Sequence, residues 1–407
     1  MSKSDARLII FDPVCGLTIG HNLPTIDKYA EWLNQNFGWK SEAWVSTKNN
    51  PSTSYLNFKT MPWVYGYWLH GTLQQELKAK RRRLKNNTIL HLLKNSAHHV
   101  WAQHHIVSHL QKAVATEPAY IFFPGADFYS LLAILSVAKE LPKNSKTIFV
   151  VRLMGVMEWA TKLPRAPEIL NQVIFDIQAI LGDRVRFSAE TEKYSHQLGS
   201  ILNTVVPVSS IPSPAKFEDL TLRERSYINI ACLGGARADK GYFEVLELAN
   251  KTQEVFNNHH GKEIKFTVQS MNSRNLDFDW KYQSDLARSS NVDLIKPRLS
   301  DAELNNEINN ADIVLLPYSQ GTYASRGSAI LFDTLPFGKP LLGTDGTGFG
   351  DSIRTGGLGL TYNGTDDYIN RLSDIINFSE DKKREIKINQ QNYSNKMLSN
   401  LKELFND

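Results

Sequence analysis

The stretch Ala311–Gly346, ADIVLLPYSQGTYASRGSAILFDTLPFGKPLLGTDG, constrains the fold of this 407-residue chain more than any other. Ile313–Leu316 is a run of four apolar residues with no polar face. Strands of that kind are buried on both sides, which happens in parallel sheets covered by helices. The Gly- and Ser-rich loop that follows is expected to open a helix at about Arg326. Gly338 is expected to end that helix, and a second strand to start at Pro340. Strand, crossover helix and strand make a βαβ unit.

The same rhythm runs through the chain twice. The first pass predicts strands at Leu8–Phe11, Tyr120–Phe123, Thr147–Val151 and Arg184–Phe187, with helices near 26–37, 127–140 and 166–181. The second predicts strands at Tyr227–Leu233, Ile264–Val268, Val292–Ile295, Ile313–Leu316 and Pro340–Gly343, and a helix over about Gly241–Phe256. The polar end from Asp366 is expected to be helical. Between the passes, VVPVSSIPSP (Val205–Pro214) reads as a linker. The fold class is therefore α/β with two Rossmann-like doubly wound domains. The expected division is 1–208, 209–390 and a last helical segment, 391–407, that crosses back to the first domain. A chain of this length exceeds one ordinary core.

Charge separates the two halves. Residues 1–215 carry 23 Lys and Arg against 15 Asp and Glu, and residues 216–407 carry 23 against 27. A basic first half attracts phosphates, nucleic acid or an anionic membrane surface. The two cysteines make a disulfide framework or zinc knuckle an unnecessary assumption. No apolar run reaches the roughly 18 residues of a membrane span. The start, MSKSDARLIIFDPVCG, reads as a first strand and not as a leader. A cytoplasmic location is the resulting expectation.

Three segments have the residue types that hold phosphate. The loop before the expected helix at Arg326 offers Gly327 for close backbone approach and Ser325 and Ser328 as hydroxyl donors. Directly after the strand Tyr227–Leu233 comes Gly234-Gly235-Ala236-Arg237-Ala238-Asp239-Lys240-Gly241. A lysine in the first turn of a helix opposes the helix dipole, so Lys240 calls for a ligand. Arg237 has a planar fork suited to pairs of phosphate oxygens. The loop Asp12–Pro24 after the first strand contains Gly16, Gly20 and His21. Arg152 ends the strand Ile148–Val151, where it serves either to neutralise a departing phosphate or to hold the structure.

These motifs resemble the second-domain signature of family 4 glycosyltransferases of the GT-B fold. That family has a buried strand ending in Pro, a glutamate, seven residues, a second glutamate and Gly-x-Pro. Here Pro317 is followed by Ser325, seven residues, Asp333 and Gly338-Lys339-Pro340. Ser325 and Asp333 thus stand at the two glutamate positions. The resemblance implies that the first position meets the donor sugar and that Asp333 holds the nucleotide ribose. It implies that Lys240-Gly241 grips the donor diphosphate, with Arg237 replacing the family arginine whose place Gly235 occupies. Gly20-His21 matches the glycine-rich first loop facing the diphosphate. The implied catalytic set is His21, Arg152 and Lys240. The implied donor-binding set is Gly16, Gly20, Gly235, Arg237, Lys240, Arg298, Ser325, Arg326, Gly327, Ser328 and Asp333. The donor would lie in a cleft between the domains, and the family transfers sugar with retention.

The expected activity is transfer of a hexosyl or related group from a nucleotide-diphosphate sugar to a saccharide or lipid-linked acceptor, in bacterial surface polysaccharide synthesis. No cofactor, metal ion or nucleic-acid partner is expected. Asp277-Phe278-Asp279 spells the DxD metal motif of a different glycosyltransferase fold but lies before a helix, in a polar segment. The histidines His91, His98, His99, His104, His105 and His109 lack a nearby carboxylate to complete a metal site. Trp63, Tyr65, Tyr67 and Trp68 precede the basic run Lys78–Lys85. That pairing makes an anionic membrane surface a candidate partner and the inner membrane face a candidate location. Three alternatives stay open: a sugar-nucleotide epimerase, a phosphorylase on the same fold, and a non-enzymatic basic protein that binds membrane or nucleic acid.

Overall fold

Apolar strands with both faces covered set the architecture. In the computed structural model β10 (Ile313–Leu316) is buried at every position, as is β1 (Leu8–Asp12). The structure describes residues 7–13, 15, 22–45, 56–60, 103–154, 166–213, 226–256, 263–273 and 278–406. These contain two six-stranded parallel sheets.

The first sheet joins β1, β2 (Ser41–Val45), β3 (Leu56–Thr60), β4 (Tyr120–Ala126), β5 (Ile148–Leu153) and β6 (Val185–Ala189) in the order β3-β2-β1-β4-β5-β6. Its helices include α1 (Asn22–Phe37), α2 (103–114), α3 (Phe128–Glu140), α4 (Ala166–Leu181) and α5 (Glu192–Leu202). In α1, Ile26, Tyr29, Ala30 and Leu33 are buried, which is the helical spacing of one core face.

The second sheet joins β7 (Tyr227–Cys232), β8 (Glu263–Gln269), β9 (Val292–Ile295), β10, β11 (Leu341–Thr344) and β12 (Gly359–Tyr362) in the order β12-β11-β10-β7-β8-β9. Helices α6 (Val245–Phe256), α7 (Trp280–Arg288), α8 (Asp301–Asn310), α9 (Gln320–Tyr323), α10 (Ala329–Thr334), α11 (Gly348–Gly356), α12 (Thr365–Ile376) and α13 (Glu380–Glu403) complete this half. Each sheet starts in the middle, builds outward to one edge, then returns past its first strand to build the other. That is the doubly wound order.

Two compact units result. One comprises 1–190, 195–212 and 400–407, and the other 191–194 and 213–399. In the first, Phe405 packs on Trp39, Tyr120 and Phe122, and its carbonyl accepts the Tyr120 hydroxyl at 3.1 Å. The second is filled by residues such as Ile230, Phe266, Leu315 and Leu342.

Local detail departs from the sequence expectation in three places. The segment read as an interdomain linker does contain the junction of the two units, at Pro212–Ser213, but it is largely embedded: Val206, Val208, Ser209 and Ser210 are buried, and Val208 bridges Ala189 in parallel. The helix expected from Gly241 begins as two 3-10 turns, Ala238–Lys240 and Tyr242–Glu244, separated by Gly241 at φ +68°, and becomes α-helical only at Val245. The helix expected over 326–338 is shorter. Ser328 caps α10, and a 3-10 turn, Leu335–Phe337, follows it because Pro336 has no N–H to continue the helix.

Candidate functional site

The chain reverses its direction of building between β7 and β10, which are neighbours in the sheet. Ligands of doubly wound sheets bind outside the carboxyl ends of the strands at such a switch point. Two loops leave it, Leu233–Gly241 from β7 and Pro317–Ser328 from β10. They are locked together. Gly241 lies so close to Pro317 that a Cβ there would stand 1.7 Å from the Pro317 carbonyl oxygen. The Ser319 N–H donates to the Asp239 carbonyl at 3.0 Å.

The glycine loop has a partner that sequence reading did not anticipate. Gly234 and Gly235 both have positive φ, and both N–H groups donate to Gln269 Oε1, at 2.7 and 3.1 Å. The other end of the carboxamide donates to the Pro297 carbonyl at 3.0 Å. Gln269 is buried at the end of β8, so one side chain ties together the loops after β7, β8 and β9. The available signal was a glutamine closing the strand-forming run FTV. This tie brings Arg298, exposed and next to Pro297, into the neighbourhood of the glycine loop.

Three cations gather on two tyrosines at the switch point. Lys240 is half-buried, and its ammonium donates to the Gly234 carbonyl and lies 5.3 Å from the centre of the Tyr318 ring. Burial, followed by repulsion from Arg237, pulls its pKa down to about 7. Arg237 sets Nε and Nη2 on the two Asp239 carboxylate oxygens, both at 2.9 Å, and Nη2 also donates to the Tyr323 hydroxyl at 3.1 Å. Burial lowers the Arg237 pKa, but Tyr323 and Asp239 outweigh it and the net shift is upward. The paired edge read as a grip for phosphate is therefore turned to Asp239, and Nη1 is the end of the fork left facing away from that carboxylate. The Arg326 guanidinium sits 5.6 Å from the centre of the Tyr323 ring. Lys240 lies in a 3-10 turn ahead of a left-handed glycine, not in the first turn of an α-helix. The helix-dipole reason for expecting a ligand there does not apply, and its desolvation takes that place.

Around them, Ser325 and Gly327 are buried. The Ser325 carbonyl accepts the Thr191 hydroxyl at 2.8 Å. Ser328 is the cap of α10: its hydroxyl accepts the Leu331 N–H at 3.3 Å and donates to the Tyr318 hydroxyl at 3.4 Å. α10 has only six residues, so what the loop offers a ligand is chiefly its side chains and local backbone, not a long helix dipole. Asp333 is half-buried on α10.

In the first unit, Arg152 is fully buried. Its Nε donates to the Ser209 carbonyl at 3.1 Å and Nη1 to the Pro124 carbonyl at 3.3 Å, while Nη2 is 3.9 Å from Glu190. Of the two roles open to it, this arrangement is the structural one, since no edge of the guanidinium reaches solvent. Gly16, Gly20 and His21 lie outside the described residues, as do the aromatic residues 63–68, the basic run 78–85 and Asp277. Asp279 caps α7 by accepting the Tyr282 N–H at 3.0 Å. His109 Nδ1 is 2.8 Å from the carbonyl of His105. Among the described residues no three His, Cys, Asp or Glu side chains converge to hold a metal, and no helix is long and apolar enough to cross a membrane.

No protein-family profile matches the chain, and no curated protein sequence matches it. Solved structures do. A UDP-forming α,α-trehalose-phosphate synthase from Burkholderia xenovorans is 11% identical with a TM-score of 0.65, over 99% of this chain and 100% of that one. The E. coli trehalose-6-phosphate structure bound with UDP-2-fluoro glucose is 11% identical with a TM-score of 0.64, over 98% and 99%. WaaG, a glycosyltransferase involved in lipopolysaccharide biosynthesis, is 13% identical with a TM-score of 0.50, over 98% of both. At these identities the likeness is one of architecture, and the architecture shared over nearly the whole chain, two Rossmann-like α/β domains, is the GT-B fold.

Proposed function

We propose that this chain is a glycosyltransferase that takes a sugar from a nucleotide-diphosphate donor and passes it to a saccharide or lipid-linked acceptor. The observation that carries the reading is the set Arg237, Lys240 and Arg326 at the β7/β10 switch point, borne on Tyr318 and Tyr323. A fold hosts many functions, so the argument rests on this site. The structural neighbours add support: one carries a UDP-sugar analogue and another is a UDP-forming synthase.

Glycosyl transfer breaks the bond from the anomeric carbon to the diphosphate as an oxocarbenium-like centre develops. The diphosphate leaves with growing negative charge. Cationic side chains already placed where that charge appears lower the barrier without a metal ion. Lys240 suits this role: its ammonium is partly desolvated and donates only to a neutral carbonyl among its hydrogen-bond partners, and a phosphate would add an anionic one. Arg237, fixed by Asp239 and Tyr323, adds its Nη1 end, and Arg298 and Arg326 extend the positive lining. Ser325 and Asp333 are assigned to the sugar and the ribose. His21, Gly16 and Gly20 keep the part in donor binding that the family resemblance implies.

The basic excess of residues 1–215 supports an acidic or membrane-associated acceptor held by the first domain, and a place in surface polysaccharide synthesis at the inner face of a membrane. The deciding measurement is calorimetric titration with UDP, GDP, dTDP and their hexose conjugates, followed by an assay for sugar transfer and release of the nucleoside diphosphate. Binding of none of the three diphosphates would overturn the reading.

A further inference from the structure

Resting on the donor-site reading above, we propose that Tyr323 is the positioning residue that makes this site a grip for diphosphate in particular. No motif in the sequence marks it, yet it is where the cations meet. Its hydroxyl accepts from Arg237 Nη2 at 3.1 Å, and its ring carries the Arg326 guanidinium at 5.6 Å. The same ring packs 4.7 Å from that of Tyr318, which in turn lies 5.3 Å from the Lys240 ammonium. Phe349 closes the far side, 6.0 Å from Tyr323 and 5.1 Å from Tyr318. Tyr323 is only 5% exposed, whereas the Arg237 side chain is 48% exposed. A buried platform therefore helps hold a solvent-facing cation in one orientation.

The directions of the hydrogen bonds explain the selectivity. Asp239 takes one hydrogen from Nε and one from Nη2 of Arg237. The Tyr323 hydroxyl takes the other hydrogen of Nη2. A guanidinium has five N–H donors, so the two on Nη1 are those directed outward. Arg237 thus offers one end to one phosphate group, and Lys240, on the Tyr318 side of the same pair of rings, offers its ammonium to the other. A ligand with two linked phosphates meets both, and one with a single phosphate meets one. Removing the hydroxyl releases one of the two Nη2 hydrogens and leaves the guanidinium held by Asp239 alone.

The test is Tyr323→Phe, which keeps the ring and its packing and deletes the hydroxyl that accepts from Arg237. Wild type and variant are titrated with UDP and UMP, or with GDP and GMP if the guanine nucleotides bind better, and melting temperatures are recorded beside them. The expected result is a rise in the dissociation constant of about five- to tenfold for the diphosphate, the size of one hydrogen bond to a charged group. The monophosphate should change by less than about twofold and the melting temperature should hold. Tyr323→Leu, which also removes the platform, should lose more of the diphosphate affinity and spare the monophosphate again. Unchanged diphosphate affinity in Tyr323→Phe, or equal losses for both nucleotides, overturns the role given to Tyr323 and leaves the donor site standing. If wild type binds no nucleoside diphosphate, the donor reading falls first and this inference with it.

Discussion

Gln269 Oε1 accepts the N–H of Gly234 at 2.7 Å and holds the turn of the glycine loop from inside the sheet. The same oxygen also accepts from Gly235, and the amide end reaches Pro297. Gln269→Ala would leave two loop N–H groups and one carbonyl without this partner. Stranding buried polar groups costs about 1–3 kcal/mol, so a loss of about 2–3 kcal/mol in urea unfolding is expected. Amide exchange at Gly234 and Gly235 should quicken together. A variant as stable as wild type, with unaltered exchange at both glycines, would show that the tie is incidental.

Gly241 and Gly235 both have positive φ, but their surroundings differ. A Cβ on Gly241 would strike the Pro317 carbonyl, whereas one on Gly235 would meet nothing within 4 Å. Gly235→Ala should cost only the left-handed backbone penalty of about 1–2 kcal/mol. Gly241→Ala must also push the two switch-point loops apart, and a loss of about 4–5 kcal/mol or failure to fold is expected. The comparison is read from denaturation midpoints of the two variants at equal slope. Equal costs would mean that the close approach to Pro317 does not govern the loop.

Metal dependence separates the proposed chemistry from that of the DxD motif. Asp279 already has a structural task as the cap of α7. If cationic side chains stabilise the leaving diphosphate, turnover should survive chelation and desalting essentially unchanged. Activity lost with EDTA and restored only by Mg²⁺ or Mn²⁺ would refute that mechanism.

Much of the architecture could be read from the sequence because it follows from local pattern. Continuous apolar runs such as Ile313–Leu316 gave the strands, and Gly338 marked the end of a helical segment. What pattern could not reveal came from contacts distant in sequence. Gln269 meets residues about 35 positions away, and Tyr323 meets Arg237 across 86. Arg152 looks the same in sequence whether it lines a cleft or ties strand ends together, and only its burial against Ser209 and Pro124 distinguishes the two. Val205–Pro214 does hold the junction between the units, at Pro212–Ser213, but its local structure was not legible for a related reason. Proline and serine suggest a free linker, but Ser209 and Ser210 are buried, and their carbonyls accept from Arg152 and Tyr29.

Lys240 should show a conflict between stability and binding. Burial holds its pKa near 7 in the folded chain, against 10.5 for an ordinary lysine. Between those values the unfolded chain binds more protons than the folded one, so stability rises with pH across that window. Below about pH 7 the lysine is charged in both states and its desolvation cost is fully present; towards pH 10.5 it is neutral in both and the cost is gone. Lys240→Met removes the charge and keeps an apolar stem. The variant should melt above wild type at about pH 6–7, with the gap closing as the pH approaches 10. The half-exposed position lets solvent screen part of the effect, so the gap is expected to be a few degrees, on the order of 1 kcal/mol for a chain of this size. The same variant should lose at least about tenfold in affinity for a nucleoside diphosphate and little for the nucleoside. In wild type, diphosphate binding near neutral pH should take up a proton, because the ligand favours the charged ammonium. Titrations in two buffers of different ionisation enthalpy would reveal that uptake. A melting difference that does not change with pH, together with no proton uptake, would mean that Lys240 stays charged in the empty site and that its burial is not what prepares it for phosphate.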